Sequence, residues 1–170
     1  LEALISTNEL GAIMMEVSRN FGPEDNFLQK VRDLATKHGI VLMFDECTSG
    51  FRQTFGGLHK MYGVEPDMAM FGKALGNGYA ITAIIGRQEI MEAAQTTFIS
   101  STFWTERIGP TAALATLEVM SRTESWSQIT KTGEAITQRW HNLAKQHELK
   151  ITTGGLPSLT NFAFESPNAL

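Results

Sequence analysis

One lysine and one carboxylate stand out as residues able to do chemistry. Lys73 is the only lysine between Lys60 and Lys131; Met68, Ala69, Met70 and Phe71 precede it, and Ala74 and Leu75 follow. Apolar surroundings disfavour the ammonium form of a lysine, and a neutral amine is a nucleophile. Asp45 ends the most apolar run of the sequence, residues 40–45. If both residues close parallel strands, their side chains point into the crevice at the strand carboxyl ends. Spacing alone allows a structural ion pair there as readily as a reactive pair.

A lysine and a carboxylate so placed match two requirements of pyridoxal phosphate chemistry. The amine forms an imine with the cofactor aldehyde, and the carboxylate keeps the pyridine nitrogen protonated so that the ring can act as an electron sink. Two other motif readings fail by inspection. A phosphate-binding P-loop needs glycine five residues before the Gly-Lys pair and Ser or Thr after it, where this chain has Asp67 and Ala74. A dinucleotide fingerprint needs a third glycine after Gly76-Asn77-Gly78, where Ile81 stands.

The elements that must position these residues alternate in type. Residues 11–17 read as a strand buried on both faces, followed by a turn through Asn20, Gly22, Pro23 and Asp25. Leu28, Val31, Leu34 and Ala35 recur at helical spacing until Gly39 supplies the stop. Residues 40–45 form the next strand, which makes a right-handed parallel crossover unit. Residues 67–71 and 81–86 read as short strands flanking Lys73, with a short helix over 87–95. Longer helices are expected over 111–120 and 125–147, the second amphipathic through Ile129, Ile136, Trp140, Leu143 and Ala144. Gly154, Gly155 and Pro157 punctuate the chain before a strand at 159–164, the first of a second region with no room left to complete it. The architecture is α/β, mostly parallel.

Composition excludes several functions. The 170 residues suffice for one well-buried core. A net charge of -4 gives no reason to expect nucleic acid or an anionic membrane as partner. The single cysteine, Cys47, cannot make an internal disulfide, which points to a reducing cytoplasm. No apolar stretch is long enough to cross a bilayer. His38 and His59 lack a third partner at metal-ligand spacing, so no metal site is expected and both read as ordinary surface or loop residues. Trp126 and Trp140 fall at helical positions and read as packing. A start at Leu1 and an abrupt finish after Ser166-Pro167 suggest a piece of something larger.

The residues Leu42-Met43-Phe44-Asp45-Glu46-Cys47-Thr48-Ser49-Gly50-Phe51-Arg52, then Pro66-Asp67 and Gly72-Lys73-Ala74-Leu75-Gly76-Asn77-Gly78, resemble the signature of class III aminotransferases. The nearest branch contains glutamate-1-semialdehyde 2,1-aminomutase. The resemblance spans most of residues 11–120. It implies a fold-type I α/β large domain that binds pyridoxal 5'-phosphate, with its second half at residues 1–122, a connecting helix at 123–150 and the start of a C-terminal small domain at 151–170.

Carried over by residue, the resemblance implies that Lys73 forms the imine and shuttles a proton between substrate and cofactor. Asp45 would bind the pyridine nitrogen, and Cys47 would pack on the ring where the family has an apolar residue. Thr102, or Ser101 in its place, would reach the cofactor phosphate of a neighbouring subunit. Here Trp104 to Pro110 replaces a shorter Gly-Asn-Pro connection. Glu16 lies where the family often has Glu-Pro, with Val17 replacing the proline; a solvated carboxylate is the equal alternative. Arg52 could bind a substrate carboxylate, although a structural ion pair is the preferred reading. The family's glycine- and serine-rich phosphate loop and its ring-stacking aromatic have no counterpart in these residues. The resemblance thus implies a homodimeric enzyme with its site at the interface, moving an amino group between a small-molecule donor and a carbonyl acceptor. Alternatives are an intramolecular aminomutase and an inactive module that serves as a scaffold.

Overall fold

A computed structural model describes residues 1–103 and 105–165. A short helix α1 (Glu2–Thr7) leads into strand β1 (Ala12–Glu16), helix α2 (Phe27–Lys37) and strand β2 (Val41–Asp45). Strand β3 (Met68–Phe71) and strand β4 (Ala83–Gly86) flank the lysine turn, followed by helix α3 (Gln88–Met91). Two long helices, α4 (Ile108–Thr123) and α5 (Ser125–Gln146), precede strands β5 (Ile151–Gly154) and β6 (Asn161–Phe164). The main sheet runs β1-β2-β3-β4. Its first two pairings are parallel and β4 is antiparallel to β3.

The β1-α2-β2 crossover forms because α2 has one apolar stripe to bury. Leu28, Val31 and Ala35 turn inward and join Val17, Ile40, Leu42 and Phe44 in the first core cluster. A second cluster lies under the lysine turn, where Phe51, Ala69, Phe71 and Leu75 meet Ala113 and Met120 of α4. Trp126 packs on Phe55 and Trp140 on Phe162, with ring centroids 5.4 and 5.0 Å apart. Both tryptophans are packing residues, as their helical positions predict. Asp67 fastens the layers together. It accepts hydrogen bonds from the backbone N–H of Leu42 at 2.8 Å, Arg32 at 2.8 Å and Arg87 at 3.1 Å. Burial opposes its ionisation, but these three donors prevail and hold its carboxyl below the usual range.

Three features depart from the sequence reading. Helix α1 is only six residues long, has no fully buried residue and sends Ile5 alone against the first core, too little for the sequence reading to expect it. Strand β6 pairs antiparallel with β5, a strand the sequence reading did not expect because the Gly154 punctuation hides it. The connection between these strands also returns to the main core, because Leu156 is buried among Val17, Leu28 and Phe44, and the Gly155 N–H donates to the Asn20 carbonyl at 3.2 Å. Gly133 of α5 permits that return. A Cβ there would stand 1.8 Å from the Pro157 carbonyl oxygen, so only glycine allows the contact.

Candidate active site

The three parallel strands bring their carboxyl ends to one edge. Glu16 is in register with Asp45, and Asp45 with Met70. Lys73 follows β3 after Gly72 and takes a left-handed backbone with φ of 43°. A non-glycine residue held there is under strain. The turn that holds it is closed by Gly76, where a Cβ would lie 2.1 Å from the Tyr79 carbonyl oxygen. Leu75 and Asn77 donate back to the carbonyls of Gly72 and Lys73 at 2.9 and 3.1 Å.

Asp45 accepts a hydrogen bond from the Cys47 N–H at 2.9 Å, a tight turn that keeps its carboxylate at the strand end. Burial pushes the Cys47 thiol up, the hydrogen bonding and charge of Asp45 push it further, and the positive charge of Lys73 opposes them. Cys47 is half-buried at the turn after β2. Asp45 and Lys73 do not form an ion pair with each other, and among the described residues neither has another salt-bridge partner. The structural-pair reading of these two residues therefore fails.

Lys73 is exposed, so the desolvated setting expected from its apolar neighbours is absent in this chain. Those neighbours alternate along β3 and turn Ala69 and Phe71 into the core, leaving the lysine beyond them at the surface. Its amine donates instead to the Thr48 hydroxyl at 2.5 Å. Sequence reasoning missed Thr48; the only signal was its position three residues after Asp45.

Two further expectations are corrected. His59 is buried, and its Nδ1 and backbone N–H both meet Glu46 Oε1, at 2.8 and 2.9 Å. Ser49 donates to the other oxygen of Glu46. Burial disfavours the Glu46 carboxylate, but its hydrogen bonds from His59, Ser49 and the Leu58 backbone outweigh that and hold it below the usual carboxylate range. This buried network pins the turn after β2 to the short 3-10 helix Leu58–Tyr62. Arg52 makes no ion pair among the described residues; its Nε donates to the Thr48 carbonyl at 3.3 Å.

Glu16 is half-buried, and among the described residues its one ionic partner is exposed Arg19 at 3.5 Å. Ser101 and Thr102 are exposed in the segment before α4, and the Ser101 hydroxyl accepts from the Phe103 N–H at 3.3 Å. They make no hydrogen bond to Asp45, Cys47 or Lys73 among the described residues. Trp104, part of the altered connection, lies outside those residues. Glu106 in that connection caps α4 by accepting from the N–H groups of Ile108 and Gly109.

Residues 1–157 match the family model of the class-III aminotransferases. The chain belongs to the class-III aminotransferase family. It is 32% identical to the 3-aminobutyryl-CoA aminotransferase of Cloacimonas acidaminovorans over 99% of its own length and 43% of that protein. It is 35% identical to the glutamate-1-semialdehyde 2,1-aminomutase of Thermodesulfovibrio yellowstonii, over 76% of this chain and 31% of the relative. The chain thus spans less than half the length of these relatives. Its fold is that of FumI from Sphingopyxis sp. MTA144, solved in a PLP form, with a TM-score of 0.90 at 23% identity over 97% of this chain and 42% of that one. An omega-transaminase from Sphaerobacter thermophilus gives 0.83 at 24% identity over 98% and 40%. Class-III aminotransferases are pyridoxal phosphate enzymes of the fold-type I α/β architecture.

Proposed function

We propose that this chain supplies the lysine and the pyridine-binding carboxylate of a pyridoxal-phosphate-dependent aminotransferase. The observation that carries the proposal is the placement of Asp45 at the end of β2 and of Lys73 just beyond the adjacent parallel strand β3, unpaired with one another. The donor set fits the group: among the described residues, an amine held only by a hydroxyl, a carboxylate with no cation of its own, and a half-buried thiol to lie against the ring. When bound, the cofactor supplies an aldehyde for amines to join and a ring that accepts the electrons of a broken substrate bond.

Lys73 is the residue that would hold the cofactor through its Nζ, and the same nitrogen would carry a proton. Thr48 holds that nitrogen in place between the two roles. Asp45 donates no proton; it keeps the pyridine nitrogen charged. Thr102, with Ser101 beside it, is offered to the phosphate of a cofactor held mainly by a second subunit, which makes the working unit a homodimer with its site at the interface. The substrates are a small-molecule amino donor and a carbonyl acceptor, and the single thiol fits a reducing cytoplasm. Residues 1–122 serve as the second half of the cofactor domain, 123–150 as the connecting helix and 151–170 as the start of a small domain. Intramolecular amino transfer is a second reading, favoured by the aminomutases among the relatives at 29–35% identity.

The test mixes the chain with pyridoxal phosphate, alone and together with a polypeptide covering the part of the relatives it does not span. Visible absorbance, borohydride trapping and peptide mapping should locate the label on Lys73, and Lys73→Ala should lose it. A wild-type mixture with no trapped label on Lys73 would falsify the enzyme reading and leave the scaffold role. Product analysis of the labelled mixture then separates transfer between two molecules from transfer within one.

A further inference from the structure

The turn after β2 mixes two kinds of residue. Asp45, Cys47 and Thr48 are half-buried, whereas Glu46 and Ser49 are fully buried. Glu46 has no part in the proposed chemistry, yet its side chain is wholly excluded from solvent and gathers three donors. These are the backbone N–H and Nδ1 of His59, at 2.9 and 2.8 Å, and the Ser49 hydroxyl. A carboxyl held below its usual range is ionised at neutral pH and only accepts, so His59 Nδ1 carries a hydrogen. Gly57 makes room for the contact, because a Cβ there would lie 2.3 Å from the His59 ring and 2.8 Å from Glu46 Oε1.

The backbone of Glu46 is bound as firmly as its side chain. Its N–H donates to the Met70 carbonyl of β3 at 2.8 Å, and its carbonyl accepts from the Gly50 N–H at 2.7 Å. A Cβ on Gly50 would stand 2.7 Å from both that carbonyl oxygen and the Phe71 ring. The turn is therefore registered on β3, the strand that leads into Lys73.

Burying a charge with its donors is a costly way to stabilise a turn, because an apolar side chain can fill the same space without losing hydration. Directional bonds add geometry instead. Thr48 stands between Glu46 and Ser49, whose side chains meet in the cluster, and its hydroxyl accepts from the Lys73 amine at 2.5 Å. Holding the nitrogen of an exposed lysine costs side-chain freedom, about 1.5–2 kcal/mol. Only an acceptor that is itself fixed offsets that cost.

We propose that Glu46, Ser49 and His59 are positioning residues for Lys73: the buried carboxylate fixes the turn that presents the Thr48 hydroxyl, and the hydroxyl holds the amine. The role rests on the aminotransferase reading of Lys73. A cluster that only stabilises the fold is the opposing outcome.

The first arm methylates the folded chain with formaldehyde and cyanoborohydride and reads, by peptide mapping, the rate at Lys73 relative to Lys145, an exposed lysine of α5. A nitrogen engaged with a hydroxyl must leave it to meet an aldehyde from solution. Thr48→Val should therefore raise the ratio about two- to fivefold, the contribution of one hydrogen bond. His59→Phe keeps a ring beside Phe44 but removes the donor, and it should raise the ratio similarly. Ser49→Ala should raise it less. His59→Asn, whose amide restores a donor near the Nδ1 position, should bring it back towards wild type. The double variant Thr48→Val with His59→Phe should show no further rise, because both changes act on one contact.

Wild-type ratios in His59→Phe and Ser49→Ala, with lowered melting temperatures, would make the cluster structural alone and overturn the proposal. So would a double variant whose effects add. If His59→Phe does not fold, Ser49→Ala and its combination with Thr48→Val decide the matter.

The second arm traps pyridoxal phosphate on Lys73 with borohydride, in the presence of the complementing polypeptide. Label on Lys73 with a methylation ratio that the cluster variants do not move sinks only the positioning role. A ratio that moves, with no label on Lys73, sinks the aminotransferase reading and the positioning role with it.

Discussion

In the role proposed for it Asp45 works by charge, and that makes it separable from Lys73. Replacing it by Asn keeps the size and the acceptor for the Cys47 N–H, so the turn after β2 should persist. Asp45→Asn should therefore keep the label on Lys73 while lowering amino transfer by roughly a hundredfold or more, the scale of a lost acid-base partner; single-turnover kinetics with the complementing polypeptide would show it. Equal rates for Asn and Asp would mean that the carboxylate does not meet the pyridine nitrogen. Both residues were legible in the sequence, because an apolar run that stops at a carboxylate and another that stops before Gly-Lys mark two strand ends. Thr48 was not legible. Its role depends on where the Lys73 side chain lies across 25 residues of chain, and no local pattern encodes that. His59 escaped for a related reason: its burial comes from Glu46, which an alternation of apolar and polar residues cannot reveal.

The lysine turn is an element whose shape depends on close backbone approach. Gly76→Ala would drive a Cβ into the Tyr79 carbonyl, and the overpacking should cost about 2 kcal/mol or more in denaturant unfolding. If the substitution is neutral, the turn relaxes easily and is no rigid mount for Lys73. Sequence periodicity found β1, β2, β3, β4, α2, α4 and α5, each near its observed bounds, since each has a face or a core run to bury. It missed β5, a four-residue strand ending at Gly154 whose pairing with β6 runs across the Pro157 turn. Arg52 shows the same limit in reverse. Its charge was plain in the sequence, but whether a carboxylate would meet it depended on how α4 and α5 pack over the 46–52 turn.

At the scale of the whole molecule, two carboxylates govern the response to acid. Glu46 and Asp67 are both held below the usual range in the folded chain. Each binds protons more readily when unfolded, so each adds stability that is complete above the ordinary carboxylate range and is lost as pH falls through its lower folded value. Thermal unfolding should therefore fall steeply in acid, and Glu46→Gln should flatten that fall while lowering the neutral-pH stability by about 2 kcal/mol. An acid limb unchanged by the substitution would remove Glu46 from this role. The return of Leu156 to the core of Val17, Leu28 and Phe44 has a consequence for synthesis. A nascent chain on the ribosome must be extended through residue 156 before that core can be sealed. Until then its earliest strands stay open to chaperones, and cleavage before residue 156 would leave them so permanently.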